Sequence, residues 1–482
     1  MSDDSLAEAA ALQARDTAAY GRTPYPALIH PHTHPDRLAV IARLAGMDPP
    51  DIRTARVLEV GVGNGLNLLV MAQALPEARF VGFDIDTQAI ELGQSWIAET
   101  GATNVTLAAL DLLDAAERLD GEFDYIIAHG VFAWVPEVVA DALLDLIGRK
   151  LSPHGVAFVS ANTLPGCHVR LALRDAMLRA SAGVTDDEER LRLARAALAR
   201  IAVPGDDDLP IQTGMRAEAQ SLLDRPEGSV MLHDELGVSY RPWYLHEAIA
   251  RAGANGLDFL GDSTPDLIGD ALLSSTGSAD DHQAAIGEAA CDGDETAFRF
   301  FRRMLFVRRG AAPDRVLHPA RVAQLFVSSS ATGAANGIWQ RGNAKARISS
   351  PVLSAMLVRL GAIWPARLAV AELEFDADYT RSLIGLSALG LVSLHSIPAP
   401  FATAPGSQPV ASPLARWTAA QGLPWVATLD HRALTLDPIA LAALQVLDGA
   451  PDEGRFAAAL AQATVTPDQA LRALASEALL LP

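Results

Sequence analysis

Glu59, Gly61, Gly63 and Gly65 fall at alternate positions in RVLEVGVGNGLNLL, residues 56–69. Glycines so spaced let a backbone turn tightly and pass close to a cofactor at the start of a helix. A dinucleotide fingerprint has its third glycine one position later, where this chain has Leu66. Glu59 sits two residues before the first glycine, where a carboxylate is awkward beside a pyrophosphate and useful beside an ammonium or sulfonium. Asp84, in VGFDID with Ile85 next to it, stands where an acid accepts hydrogen bonds from ribose hydroxyls. Asp111, in LAALDLLD with Leu112 next to it, stands where an acid can accept from an adenine amino group. Adenine, ribose and a cationic amino acid together describe S-adenosylmethionine, and no Lys or Arg in the loop grips a phosphate. Asp84 and Asp111 also suit helix N-caps, the commoner role of either alone.

A second set of residues suits the group that receives a methyl. His129 ends the strand-like run IIAHG and could take a proton. Trp134 follows five residues later and could stabilise a cation over its ring. Asn162, in SANT, could orient an amine or the cofactor, and Tyr25 could close over the cofactor from the N-terminal segment. His168 lies close behind, with no side-chain direction implied. His30, His32 and His34 alternate in IHPHTHP, but the prolines disturb a common face and methyl transfer from a sulfonium needs no metal. A cap over the cofactor is the preferred reading, with no metal expected.

These residues need elements to hold them. From about 55 to 162, apolar strands alternate with helical periodicity, which indicates an α/β fold with a parallel sheet covered on both faces. Residues 166–241 break the rhythm with an amphipathic helix in DDEERLRLARAALARIA, and 242–310 resume it, so 166–241 reads as a helical insertion. Such an insertion suits a lid or a dimer contact. FRFFRRMLFVRRG, residues 298–310, reads as the sheet's last strand with solvated arginines at its ends. Beyond 310 come helices and short strands in a winged-helix-like pattern, a Pro-, Ala- and Ser-rich linker over 397–413 and a last helical unit.

Composition sets outer bounds. A net charge of -20 argues against wrapping nucleic acid, which relies on Lys and Arg. Two cysteines leave no disulfide framework and no cysteine-rich metal site. The acidic opening MSDDSLAEAA does not read as a signal peptide, and no apolar run spans a membrane, so cytoplasmic residence is the default expectation. HDEL at 233–236 is internal and so no retention signal.

EVGVGNG, VGFDID, ALDLLD, FDYIIAHGVFAWVP and LSPHGVAFVSANTLPG resemble the successive motifs of a class I methyltransferase. YPALIHPHTHPDRLAVIARLAGMDPP, NTLPGCH and HDELGVSYRPWYLHEA are similar to a narrower group, the bacterial methyltransferases with a methyltransferase regulatory domain. Characterised members of that group include rickettsial lysine methyltransferases that act on an outer-membrane protein. The chain departs slightly, with Cys167 where an aromatic is expected and Val62 where Cys is frequent. The resemblance implies a Rossmann-like seven-stranded core over 51–165 and 242–310, an N-terminal cap over 1–50 and a dimerising insertion over 166–241. It also implies a regulatory unit over 311–396 and, after the linker, a substrate-recognition unit to 482. The activity it implies is N-methylation of protein lysines from S-adenosylmethionine, possible as a homodimer, on an outer-membrane protein before export. A small-molecule or peptide methyltransferase, and a regulator that binds the cofactor without turnover, stay open alternatives.

Overall fold

The computed structural model describes residues 12, 21–225, 228–264, 267, 279–333, 336–373, 377–423, 425–449, 453–461 and 465–482; the acidic opening lies outside them. Its central sheet forms because short β-branched and aromatic runs alternate their side chains between two covered faces. β1 (Arg56–Val60), β2 (Arg79–Asp84), β3 (Val105–Ala109), β4 (Phe123–Ala128) and β5 (Leu151–Leu164) pair in parallel in the order β3-β2-β1-β4-β5. β6 (Trp243–Tyr244), β7 (Leu257–Asp262) and β8 (Phe301–Arg308) complete it. β8 runs antiparallel between β5 and β7, and the two-residue β6 adds an eighth strand against the end of β5.

Val57, Tyr125, Ile127, Val156 and Phe158 face one core, shared with the helices Pro35–Leu44 and Leu66–Ala74 and with residues as far along the chain as Ala478. Leu58, Val60, Ile126, Ala128 and Val159 face the other, under the helices Glu137–Lys150 and Leu245–Ala254. Each such side chain contributes about 1.5–3 kcal/mol of burial, so a one-residue slip of any strand is strongly disfavoured.

The arginines of FRFFRRMLFVRRG depart from the sequence expectation. Although last in the chain, the strand lies inside the sheet, and Arg302 is only 1 % exposed. It survives burial because Asp294 and Asp262 accept from its guanidinium at 2.8 and 3.5 Å.

In the segment 166–241 the helices His168–Ala180, Asp187–Ala202, Pro210–Leu223 and Gly228–Asp234 gather a core of their own around Leu173, Met177, Leu198 and Leu222. The second starts at Asp186, which accepts from Glu189 N–H, with three more acids in its first turn. Further on, β9 (Phe326–Ser328) pairs with Leu368–Ala369 and Ser393–His395. The last unit packs the helices Pro413–Ala420, Pro438–Gln445, Glu453–Ala459 and Pro467–Ser476 beside a hairpin of Val426–Ala427 and Ala433–Leu434. Among the described residues no helix is long and apolar enough to cross a membrane.

Candidate active site

The C-terminal ends of β1, β2, β4 and β5 open into one cavity of about 1060 Å³, the place where ligands bind in open α/β sheets. Gly61, Gly63 and Gly65 all have positive φ, and Gly65 in the left-handed region starts the helix Leu66–Ala74. A Cβ on Gly65 would stand 2.7 Å from Leu107, whereas one on Gly63 would meet nothing within 4 Å. The loop is therefore packed against the sheet at Gly65 and open at Gly63, which lines the cavity.

Glu59 shares the face of β1 with Val57, under the helix that carries Asn67. Asn67 Nδ2 donates to Glu59 Oε1 at 2.8 Å, while Glu59 Oε2 is buried without a partner among the described residues although Glu59 lines the cavity. Burial pushes the Glu59 carboxyl up to about 8; the Asn67 bond opposes this and the charge of Asp84 adds to it. An orphaned carboxylate oxygen is costly unless a cation meets it, so the amino acid end of S-adenosylmethionine fits here by charge and by hydrogen bonding.

Asp84 lines the cavity and accepts from Gly63 N–H at 2.8 Å and from Asp86 N–H at 2.9 Å. It thereby ties the glycine loop to β2, and burial raises its carboxyl. Ile85, 37 % exposed, joins Leu110 and Leu112 as an apolar stretch of wall suited to a flat ring. Asp111 accepts from Leu113 N–H at 2.9 Å as the N-cap of the helix Leu112–Arg118 and is not among the residues that line the cavity.

His129 also lines the cavity, with Nδ1 2.9 Å from Ser160 Oγ and its ring 4.0 Å from that of His30. Burial drives His129 well below its ordinary range, His30 and Arg303 adding to the effect, and burial takes His30 down to about 4. The burial that disfavours a charged ring makes His129 a weak proton acceptor and a better fixed wall. Trp134 lies 4.5 Å from Tyr240, ring to ring, and Asn162 lies at the end of β5; all three line the cavity. Burial raises the Tyr240 hydroxyl, which is bonded to the Cys167 sulfur. Tyr25 donates to Asp234 at 3.4 Å on the same wall, and burial lifts Asp234 to about 7, with Glu235 beside it.

Two other histidines are turned elsewhere. His34 Nδ1 accepts from Asp36 N–H and caps a helix, and His168 pairs with the Tyr244 hydroxyl at 3.2 Å. Among the described residues no three His, Cys, Asp or Glu gather as metal ligands.

Asn67, Ser160, Asp234 and Tyr240 were not singled out from the sequence. Asp234 and Tyr240 lie in HDELGVSY, a stretch notable for resemblance alone, whose HDEL contributes all four residues to the wall. Asn67 stands in the glycine stretch itself, hidden because a helical Asn signals nothing without its partners.

Comparisons with known proteins agree with this geometry. Residues 57–155 match the family described as a methyltransferase domain, and residues 407–477 match the PKMT C-terminal winged helix domain. The chain is 34% identical over 233 residues to an uncharacterised protein of Rickettsia prowazekii, covering 48% of this chain and 93% of that one. A second uncharacterised protein of that organism is 31% identical over 50% of this chain and 44% of its own length. The structure of PKMT2 from Rickettsia typhi is similar over 95% of this chain and 100% of that one, with a TM-score of 0.77 at 23% identity. The same protein in complex with AdoHcy gives 0.80.

Proposed function

The chain belongs to the S-adenosylmethionine-dependent class I methyltransferases that carry a PKMT winged-helix domain, and on that premise we propose that it methylates lysine side chains of a protein. The observation that carries this reading is the sharing of one cavity by the Glu59 cradle and a wall of Trp134, Tyr240 and Asn162. Bound there, S-adenosylmethionine supplies a methyl group already activated by its sulfonium.

The protein's own residues then have two tasks. They hold acceptor and donor in line, which the neutral His129 against Ser160 and His30 serves by fixing the wall between them. They also lower the cost of a neutral amine. With a reference pKa of ~10.4, freeing lysine at pH 7 costs about 4–5 kcal/mol. Trp134 and Tyr240 offer ring faces to the arriving ammonium, and Asp234 is a carboxylate of raised affinity for protons on the same wall.

In this reading residues 1–50 cap the cofactor, 51–165 with 242–310 form the core, and 166–241 with 311–482 present the substrate. A homodimer through the insertion belongs to it, supported by Val203, Leu209 and Ile211, which stand 61, 62 and 73 % exposed near one another in sequence. The acceptor implied by the resemblance, an outer-membrane protein met before export, is the first substrate to try. Incubating the chain with methyl-labelled S-adenosylmethionine and cell extract, then hydrolysing the protein fraction, tests the proposal. Label in methyl-lysines supports it; label confined to small metabolites overturns it.

A further inference from the structure

Asn67 is the residue through which two distant parts of the chain, the segment His30–Thr33 and the turn at His431, meet the cofactor cradle. Its Oδ1 accepts from His30 N–H at 2.9 Å, which fixes the amide orientation because a backbone N–H can only donate. Nδ2 must therefore be the atom that donates to Glu59 Oε1 at 2.8 Å and to Thr33 Oγ1 at 3.1 Å. The fourth bond comes from the C-terminal unit: His431 Nε2 lies 2.9 Å from Asn67 Oδ1. Since Oδ1 only accepts, Nε2 is the protonated nitrogen of that ring.

His431 is held there at a cost. Its backbone has a φ of 63°, in the left-handed region that a side chain other than glycine rarely occupies. Its Nδ1 is buried and has no partner among the described residues. The surrounding turn is braced to keep it so: His431 N–H donates to Thr428 O at 3.0 Å, and Arg432 N–H to Thr428 Oγ1 at 3.0 Å. The ring's other neighbour is His34, 5.2 Å away, itself capping the helix Pro35–Leu44. A strained, desolvated histidine whose ring makes, among the described residues, one hydrogen bond, from the last unit to the cradle, is best explained by that bond.

We infer that His431 is a positioning residue for Glu59, acting through Asn67, so that the C-terminal winged-helix unit is a working part of the cofactor pocket. This rests on the reading of Glu59 as the seat of the cofactor's ammonium. With four bonds the Asn67 amide has one orientation, and Glu59 Oε1 is held so that Oε2 alone is left for a ligand. Without His431 the amide keeps a single donor on its oxygen, the His30 N–H, and holds the carboxylate less firmly. An event at the C-terminal unit that moves this turn therefore changes cofactor affinity, and by linkage cofactor binding steadies the turn.

Calorimetric titration of S-adenosylhomocysteine into the full chain tests this with four variants. His431→Gly relaxes the backbone and removes the ring; about a tenfold loss of affinity is expected, roughly the value of one buried hydrogen bond. In turnover the loss appears in the cofactor KM rather than in kcat. His431→Gln, which restores an N–H donor, recovers most of the affinity. Trp417→Phe removes a different tie between the same unit and the core, the 2.7 Å bond to Glu99, and lowers the melting temperature without weakening binding. Glu59→Gln weakens binding if the cradle is read correctly. Unchanged affinity in His431→Gly, or an equal loss in Trp417→Phe, overturns the inference. Unchanged affinity in Glu59→Gln instead overturns the reading of Glu59 beneath it.

Discussion

A buried carboxylate with one satisfied oxygen and one bare oxygen is a ligand site that destabilises the empty protein. Burial pushes the Glu59 carboxyl up to about 8 in the fold, from an ordinary value near 4.5. Between those values the folded state holds a proton that the unfolded state has lost, so the residue's contribution to stability falls as pH rises. Glu59→Gln should flatten this slope, leaving the cofactor-free variant's melting temperature less dependent on pH between 5 and 8 than the wild type's. The same substitution should abolish the rise in cofactor affinity towards pH 8 that ionisation of Glu59 gives the wild type. Above that pH an α-amino group with pKa ~7.7–8.0 loses its own proton, so wild-type affinity should peak near there. On the acceptor side, Trp134→Ala should raise the acceptor KM about tenfold, as loss of a desolvated cation–π contact implies, with cofactor affinity unchanged. Steady-state kinetics and calorimetry separate the two. The place of Glu59 and Asp84 beside the cavity was legible in sequence because strand C-termini around a glycine loop are where such a sheet opens. Asp111 could not be assigned from sequence, because an adenine acceptor and an N-cap occupy the same place after a strand. Asn67, Asp234 and Tyr240 were illegible because their meaning comes from partners far away in the chain.

At the scale of elements, alternation and helical periodicity located β1 to β5 and the helices between most of them, since both faces of the sheet must be apolar. The place of β8 was not legible, because nothing local in FRRMLFVR says that it runs antiparallel between β5 and β7. Arg302 follows from that placement. Arginines are usually solvated, and only a strand inside the sheet brings one against Asp294 and Asp262. Asp294→Ala should cost about 3–5 kcal/mol, because it leaves Arg302 and Arg299 without their shared acceptor. Chemical denaturation reads this directly, and a double variant that also replaces Arg302 with Leu should lose less than the single one.

Across the whole molecule, the units beyond 310 are fastened to the helix Pro35–Leu44 rather than strung behind the core. Asp36 accepts from His395 Nδ1 at 2.9 Å, Ser396 N–H at 2.6 Å, the Ser396 hydroxyl at 2.7 Å and Arg367 at 3.3 Å. Ser328, His395 and Asp36 form a hydrogen-bonded line like that of a hydrolase, yet Ser328 is 3 % exposed and does not line the cavity, so the line works as a clamp. Burial opposes the Asp36 charge, but Arg367 and the His395 bond outweigh it and hold the carboxyl far below its usual range. Its contribution is fully present above an unfolded pKa of ~3.9 and is lost as pH falls through the folded value. Asp36→Asn should therefore lower the melting temperature at pH 7, with the gap to wild type narrowing below about pH 4. No sequence spacing announces a clamp between residues 36 and 395.

The account stands on Glu59 Oε2 as the seat of the cofactor's ammonium, in the cavity that also holds Trp134 and Asn162. A crystal structure of the chain with S-adenosylhomocysteine measures this directly. The predicted result places the amino nitrogen at roughly 3 Å from Oε2, with the sulfur turned towards the Trp134 and Asn162 wall. An amino group bound elsewhere, with Oε2 taken by a protein donor, would contradict it.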